Sequence, residues 1–180
     1  MGRPKSGRAG DAGGVPQAVE AVVGLGANEG DTVAALSAAR RALADLPTTR
    51  LAATSSLYRT APVGWAHQPD FLNGVCLLRT ALAPEVLGEA LFDLERTLGR
   101  VRTGVRNGPR VIDIDLLYYE GVRRDGPTLT LPHPRLHERA FVLYPWAEIM
   151  PGFRIPGLGA LDDLCRAVQD QRVERLEITW

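Results

Sequence analysis

The chain has 180 residues, of which 45% are hydrophobic and 23% charged, so it is long enough for one well-packed domain and too short for two ordinary ones. Basic and acidic residues balance at 21 each, and this neutrality argues against a surface committed to nucleic acid or to an anionic membrane. Lys5 is the only lysine and lies in a loose N-terminal stretch, which excludes a Walker phosphate loop, a protein-kinase strand lysine and a Schiff-base lysine.

The distribution of apolar residues predicts a cytoplasmic protein with no membrane partner. No apolar run approaches the roughly 20 residues of a membrane span, and no basic stretch precedes an apolar block of about 7–15 residues near the start. Cys76 lies in a run predicted as a strand and Cys165 in one predicted as a helix, without a Cys-x-x-Cys pair. Both are expected to be small buried thiols.

The first segment of the chain differs in composition from the rest. Residues 1–17 are rich in Gly, Pro and basic side chains and hold too few bulky apolar groups to order themselves, so we predict a disordered tail followed by a single domain over 18–180. A strand is predicted over 18–25, and the run GLGANEGD at 24–31 predicts a turn whose last residue caps the next helix. Apolar residues at helical spacing then predict a helix that ends at Pro47.

The middle of the chain continues this alternation of strands and helices. Two strands, a helix and a further strand are predicted, in that order, at 51–58, 71–79, 84–98 and 111–119. Pro84 suits the first turn of the helix, and Gly99 ends it. The order β-α-β-β-α-β is that of the ferredoxin-like α+β fold, with helices packed on a mainly antiparallel sheet. C-terminal additions to this core are predicted as helices near 138–149 and 161–168 and a strand at 173–178.

The most informative segment is RNGPRVIDIDLL at 106–117. Side chains alternate between the faces of a strand, so Asp113 and Asp115 project together while the apolar residues around them point into the core. Two carboxylates on one face repel each other and are costly to desolvate, and Mg²⁺ is the obvious compensation, as one ion or as two ions about 3.5–4 Å apart. From this pair alone, the solvated face of an edge strand is an equally good interpretation.

A cluster of basic residues immediately precedes the two aspartates. Residues 96–110 contain five arginines and no acidic residue, namely Arg96, Arg100, Arg102, Arg106 and Arg110. Arginine presents planar donor groups suited to phosphate, and arginines opposite a metal ion are typical of phosphoryl-transfer sites. A solvated basic loop and a nucleic-acid patch are the alternatives, but neither explains the adjoining aspartates. The sequence therefore favours phosphate chemistry.

This segment resembles the signature of 6-hydroxymethyl-7,8-dihydropterin pyrophosphokinase, an enzyme family of the folate pathway. Other pieces match in the same order: GLGAN at 24–28, SSLYRTAPVG at 55–64, QPDFLN at 68–73, GRVR at 99–102 and LPHPRLHERAFVLYP at 131–145. The resemblance covers about residues 20–180. It implies a ferredoxin-like fold, ATP as co-substrate, two Mg²⁺ ions, and transfer of pyrophosphate to the hydroxymethyl group of the pterin with release of AMP.

The resemblance also implies which residues act. Asp113 and Asp115 resemble the aspartates that bridge the metal ions to ATP, and Arg100 and Arg110 resemble the arginines that close on the phosphates, so these four are the expected catalytic residues. Further ATP contacts are expected at Glu95, Arg102, Arg106, Leu116, Thr130, His133 and Arg139. Phe92 is near a nucleotide-contacting position but is apolar, and we expect it in the core.

The pterin is expected to lie between two aromatic rings, because a flat heteroaromatic ring offers two faces for stacking and an edge of donors and acceptors. By the resemblance, its contacts are expected at Thr60, Pro62, Val63, Gly64, Phe71, Asn73 and Phe141. The expected partners are ATP and the pterin, without nucleic acid, and the expected state is a monomer.

Two rival functions remain open from the residues. A noncatalytic ferredoxin-like module that binds RNA would be expected to show aromatic residues on its central strands, where this chain has Asp113 and Asp115. A two-metal nucleotidyl transferase or nuclease could use the same aspartates, but it would yield pyrophosphate or cleaved nucleic acid instead of AMP.

Overall fold

Residues 17–62, 67–101 and 108–180 are described by the structure, a computed structural model. The predicted tail at 1–17 therefore lies outside the described residues except for Gln17. The strands are β1 (Val19–Ala27), β2 (Thr49–Thr54), β3 (Leu57–Thr60), β4 (Phe71–Thr80), β5 (Asp113–Tyr119), β6 (Arg124–Asp125), β7 (Thr130–Leu131), β8 (Arg154–Ile155), β9 (Gly159–Ala160) and β10 (Val173–Leu176). The helices are α1 (Thr32–Ala44), α2 (Pro84–Thr97), α3 (Ala140–Ile149) and α4 (Leu161–Ala167), with one 3₁₀ turn at Leu136–Glu138 before α3.

The main sheet has the ferredoxin-like strand order. Its strands follow one another as β10-β3-β4-β1-β5, with β2 also paired to β4, and their pairings are antiparallel. The four positions of the β-α-β-β-α-β core are filled by β5, β1, β4 and the β2/β3 strand, which confirms the predicted fold class. The later strand β10 extends the sheet at β3, and the hairpins β6-β7 and β8-β9 were not predicted.

The two faces of the sheet are covered by different helices. Alternate residues of β1, such as Val23 and Leu25, pack with α1 and α2 on one face, whereas Val22 packs with α3 and α4 on the other. Period-two alternation explains this division, because neighbouring strand residues point to opposite faces. The second face lacks side chains at Gly24 and Gly26, near the end where Asp115 and Asp113 lie opposite them on β5.

The local signals for α1 and α2 are confirmed. The carboxylate of Asp31 accepts the backbone N–H of Ala34 at 3.0 Å, as an N-cap should. Pro84 begins α2, and Gly99, with φ of +93°, follows its end. Proline lacks the N–H that a first helical turn leaves unpaired, and glycine adopts positive φ without strain.

Two sequence expectations were wrong in detail. The strand predicted at 51–58 is divided into β2 and β3, because Ser55 Oγ accepts the N–H of Val75 at 2.9 Å and the N–H of Ser56 donates to the Glu148 carboxylate at 3.1 Å. These side-chain partners interrupt the strand ladder. The turn predicted from Gly24 begins only after Ala27, because Gly24 and Gly26 still pair with β4 and β5.

Trp180 closes the α1 side of the core. Its indole Nε1 donates to the Ser55 carbonyl at 2.9 Å, and its ring lies 2.6 Å from the position that a β-carbon on Gly74 would occupy. Cys76 is buried as expected, whereas Cys165 is only partly buried. Within the described ranges, no helix is long and apolar enough to cross a membrane.

The Gly74 contact yields a prediction on stability. Gly74→Ala should lower the free energy of unfolding by about 1–3 kcal/mol, because the added methyl overlaps the Trp180 ring and the core must shift. Urea unfolding followed by circular dichroism measures this. Gly88→Ala in α2 is the control: nothing lies within 4 Å of its β-carbon, so helix propensity should stabilise the protein by up to about 1 kcal/mol. Equal effects of both substitutions would contradict the packing argument.

Candidate active site

A cavity of about 990 Å³ opens at the glycine-lined end of the sheet. One wall is the face of β4 and β5, a second is α2, and a third is the segment from Gly126 to Arg139 that follows β6. The backbone N–H of His133 donates to the Leu117 carbonyl at 2.8 Å, which fastens this third wall to β5. The cavity is of the size that small-molecule substrates occupy.

Asp113 lies at the centre of an ion-pair cluster. Arg100 donates to one of its carboxylate oxygens and Arg110 to the other, so the two guanidinium groups approach the same carboxylate from different sides. The three side chains are only 17–23% exposed. Ion pairs of this kind are stronger than exposed ones because solvent screens them less.

Glu95 ties this cluster to the helix α2. Glu95 is only 3% exposed. Its Oε1 accepts one hydrogen bond from the backbone N–H of Ile114 at 2.7 Å and another from the Arg100 guanidinium. Desolvation lowers the pKa of Arg100, but the carboxylates of Asp113 and Glu95 outweigh it and raise the pKa. Arg100 therefore stays fully charged and bridges α2 to β5.

Asp115 has a different electrostatic environment from Asp113. Burial raises its pKa to about 7, and the negative charge of Asp113 adds to that effect, while the cations of Arg139 and Arg100 oppose it. Near neutral pH this carboxyl is therefore only partly ionised. A bound cation would favour its charged form.

His133 and Arg139 form the opposite wall. Burial lowers the pKa of His133 to about 4, and the neighbouring cations Arg139 and Arg135 lower it further, so its ring is neutral at pH 7. Its Nδ1 accepts the backbone N–H of Arg135 at 3.2 Å, which leaves the proton on Nε2 available to donate to a ligand. Burial also lowers the pKa of Arg139.

Aromatic rings and one amide occupy the end of the cavity near β3 and β4. The guanidinium of Arg110 lies 5.4 Å from the centre of the Phe71 ring, and that of Arg139 lies 5.5 Å from the Phe141 ring. Asn73, at 5% exposure, donates from Nδ2 to Thr60 Oγ1 at 2.9 Å. Its Oδ1 lies 3.0 Å from where a β-carbon on Gly26 would be, so the missing side chain leaves this oxygen room for a ligand.

The structure brings together most of the residues predicted for the site. The cavity is lined by Thr60, Phe71, Asn73, Glu95, Arg100, Arg110, Asp113, Asp115, Leu116, Thr130, His133, Arg139 and Phe141. Pro62 instead lines an adjoining cavity of about 340 Å³ that shares Thr60, Arg139 and Phe141 with the first. Val63, Gly64, Arg102 and Arg106 lie outside the described residues.

Sequence reasoning placed one residue wrongly and missed another. Phe92 was expected in the core, but it is 44% exposed and lines the cavity, because it lies on the side of α2 that turns away from the sheet. Asn28 was matched only as part of GLGAN, yet it is buried and hydrogen bonded to two distant segments. A polar residue inside the turn predicted at 24–31 was the available signal.

The carboxylates of the cavity are a donor set of the kind that a divalent cation needs. Among the described residues, no group of three or more His, Cys, Asp or Glu side chains could hold a metal ion. Mg²⁺ commonly uses only one or two protein carboxylates and completes its shell with water and substrate phosphates. The paired carboxylates of Asp113 and Asp115 beside an open cavity fit that pattern.

Comparisons with known proteins point to one enzyme family. The family model described as 7,8-dihydro-6-hydroxymethylpterin-pyrophosphokinase (HPPK) matches residues 22–151. A 2-amino-4-hydroxy-6-hydroxymethyldihydropteridine pyrophosphokinase of Pseudomonas aeruginosa is 44% identical over 86% of this chain and 94% of the relative. A protein of the same description from Methylorubrum extorquens is 45% identical over 87% of this chain and 98% of the relative.

Solved structures show the same fold at low sequence identity. The wild-type HPPK-DHPS of Plasmodium falciparum, solved with pterin and p-hydroxybenzoate, superposes with a TM-score of 0.66 at 13% identity. The match covers 90% of this chain and 46% of that one. Another wild-type structure of it, with STZ-DHP, has a TM-score of 0.64 at 14% identity and covers 86% and 42%. The chain thus spans less than half of that longer protein.

The environment of Asp115 predicts a pH-dependent stability. An unfolded aspartate titrates near pH 4, so between about pH 4 and 7 the folded protein binds a proton that the unfolded chain does not, and stability falls as pH rises. Asp115→Asn should therefore raise the free energy of unfolding at pH 8 by on the order of 2 kcal/mol in a metal-free buffer, and much less at pH 4.

Urea unfolding at both pH values measures the Asp115→Asn effect. The exposed Asp170→Asn is the control and should show no such pH dependence. The same stability change from Asp115→Asn at both pH values would contradict the shifted pKa.

Proposed function

The chain belongs to the 7,8-dihydro-6-hydroxymethylpterin-pyrophosphokinase family and is a pyrophosphokinase of folate biosynthesis, and we propose that its transfer of pyrophosphate from ATP to the pterin takes place in the cavity around Asp113. The observation that carries this proposal is the position of Asp113, held between Arg100 and Arg110 and beside the partly ionised Asp115. Cations and carboxylates in alternation are what a polyphosphate with its metal ions requires.

Charge sets the direction in which ATP lies. The sheet end of the cavity carries Arg100, Arg110 and Arg139, whereas the outer part of α2 contributes Glu85, Glu89 and Asp93, of which Glu85 pairs with Arg124 and Asp93 with Arg96. The guanidinium groups at the sheet end therefore attract the triphosphate as it displaces the carboxylate of Asp113, and Glu89 disfavours it at the outer end of α2. We place the nucleoside along α2, with Leu116 and Thr130 across the cavity from it.

Phe92 provides an apolar surface at the nucleoside end. It is large, 44% exposed and directed into the cavity, a location where an aromatic ring gains by covering the face of a base. Phe92 is accordingly a proposed contact of the nucleobase.

Mg²⁺ completes the phosphate end in this proposal. Asp113 and Asp115 would hold the ion, or two ions, and Mg²⁺ when bound supplies charge neutralisation of the phosphates. On binding, Arg100 and Arg110 exchange the carboxylate of Asp113 for phosphate oxygens. The proposed contacts of Arg102 and Arg106 would add to this positive end.

The reacting groups need alignment more than a strong base. The hydroxymethyl oxygen forms a bond to the β-phosphorus, the bond from that phosphorus to the bridging oxygen of AMP breaks, and the hydroxyl proton is lost to solvent. Arg100 and Arg110 balance the charge on the transferred group, while the neutral His133 can donate from Nε2 and Arg139 from its guanidinium. Glu95 keeps Arg100 in place.

The pterin is proposed to lie at the aromatic end. Phe71 and Phe141 would cover its faces, and Asn73, whose Nδ2 is fixed by Thr60, directs Oδ1 to a ring N–H. Pro62, Val63 and Gly64 would complete this pocket. In this arrangement the arginines that lie over both phenylalanines would bring the phosphates close to the hydroxymethyl group.

The proposal extends to the oligomeric state, the cellular location and the domain organisation of the enzyme. We propose a monomer that acts in the cytoplasm, where its co-substrate ATP is available. We propose one catalytic domain over 18–180, preceded by a tail at 1–17.

The nucleotide product tests the proposed reaction. With ATP, Mg²⁺ and 6-hydroxymethyl-7,8-dihydropterin, the protein should form AMP in proportion to pterin consumed, as resolved by ion-exchange chromatography. Asp113→Ala should reduce turnover by about 10³-fold or more, because the metal loses one of its two proposed carboxylate ligands. The exposed Asp45→Ala is the control and should keep activity. ADP as product, or pterin-independent AMP, would refute the assignment.

The nucleobase contact is tested separately. Phe92→Ala should weaken binding of α,β-methylene-ATP about fivefold to tenfold, the value of one aromatic contact, while binding of inorganic tripolyphosphate stays unchanged. Isothermal calorimetry measures both ligands. Val86→Ala is a matched control, because Val86 is 48% exposed on the same helix and does not line the cavity. An equal loss for tripolyphosphate would show that Phe92 does not contact the base.

A further inference from the structure

Asn28 connects three separate parts of the chain. It follows the last residue of β1, is 4% exposed, and has no role in the chemistry described above. Its Oδ1 accepts the backbone N–H of Arg110 at 2.9 Å, and its Nδ2 donates to Gln68 Oε1 at 3.0 Å and to the Pro69 carbonyl at 3.1 Å. Its own backbone N–H donates to the Arg110 carbonyl at 3.0 Å. Both N–H groups and the oxygen of the amide are thus engaged.

The two attached segments each lead to one side of the active site. The first ends at Arg110, whose guanidinium holds Asp113, and the second leads through Pro69 into β4, which begins with Phe71. These two side chains also contact each other, because the Arg110 guanidinium lies 5.4 Å from the Phe71 ring centre. The amide of Asn28 fixes the backbones behind both.

We propose that Asn28 is a positioning residue that sets the distance between the phosphate-binding Arg110 and the pterin-binding Phe71, an inference that rests on the proposed function for the identity of the two ligands. An amide is the group suited to this place. It combines one acceptor for the Arg110 N–H with two donors for the Gln68 and Pro69 oxygens. A carboxylate offers only acceptors, and an alkyl group offers neither donors nor acceptors.

Two substitutions separate the contact of Asn28 with Arg110 from its contacts with Gln68 and Pro69. Asn28→Ala removes both, so the backbone N–H of Arg110 should exchange with solvent at least about tenfold faster, and kcat should fall about tenfold or more because the reacting groups lose their alignment. Asn28→Asp keeps the acceptor for Arg110 but cannot donate to the Pro69 carbonyl. It should retain protection of the Arg110 N–H and α,β-methylene-ATP affinity within about twofold, while pterin affinity falls about fivefold.

Amide exchange is measured by NMR, and the two affinities by calorimetry on the full chain. Thr49→Val is the control, because it removes a 2.7 Å hydrogen bond to Thr80 at the far end of β4. It should lower stability and leave kcat, both affinities and the Arg110 exchange rate unchanged. If Asn28→Ala does not fold, the divided response of Asn28→Asp alone decides the question.

Two results would overturn the role of Asn28. One is an Asn28→Ala enzyme with kcat and Arg110 exchange no different from those of Thr49→Val. The other is an Asn28→Asp protein that loses ATP-analogue and pterin affinity to the same extent. Failure of the unsubstituted protein to make AMP would refute the proposed function instead. Exchange of the Arg110 backbone N–H would still test the role of Asn28, because that measurement needs no ligand.

Discussion

The shared strand face of Asp113 and Asp115 imposes the constraint that the rest of the site satisfies. Two carboxylates this close repel each other and lose hydration, so each needs a compensating charge. Asp113 obtains it from Arg100 and Arg110, while Asp115 remains partly protonated because the nearby guanidinium groups do not fully offset its burial. Because Asp113 is compensated and Asp115 is not, additional positive charge in the cavity is favourable beside Asp115.

Arginine supplies the compensation throughout, and this choice has physical consequences. Lysine at the same positions would lose its charge more readily on burial, whereas guanidinium groups stay ionised and bind two acceptors in a plane. Arg100 uses this property by bonding Glu95 and Asp113 together. In the proposed reaction the arginines pass from carboxylate to phosphate without any change of protonation, so the protein need not reorganise its proton distribution when the nucleotide binds.

Local patterns made much of the fold and site predictable. Strand alternation placed Asp113 and Asp115 on one face, and the signals at Asp31 and Pro84 marked the helix starts. The failures involve partners distant in sequence: the break between β2 and β3 depends on Glu148, and the strand character of Gly24 and Gly26 depends on β4 and β5. Phe92 was expected in the core because it is apolar, but only the position of α2 beside the cavity determines which way it faces. The link of Asn28 to Arg110 spans 82 positions in sequence, beyond any local rule.

Gly26 makes part of the cavity floor out of main chain alone, and Gly24 lies two residues before it on the same face of β1. A β-carbon at Gly26 would lie 3.0 Å from Asn73 Oδ1, and one at Gly24 would lie 3.2 Å from the Leu117 side chain. An inhibitor that rests on this floor would contact atoms that every amino acid possesses, so point mutation could not delete the contact. Substitution at either glycine would instead add atoms where Asn73 and Leu117 already lie. Resistance to such a compound would therefore have to arise at the cavity walls, and the floor is the more durable target.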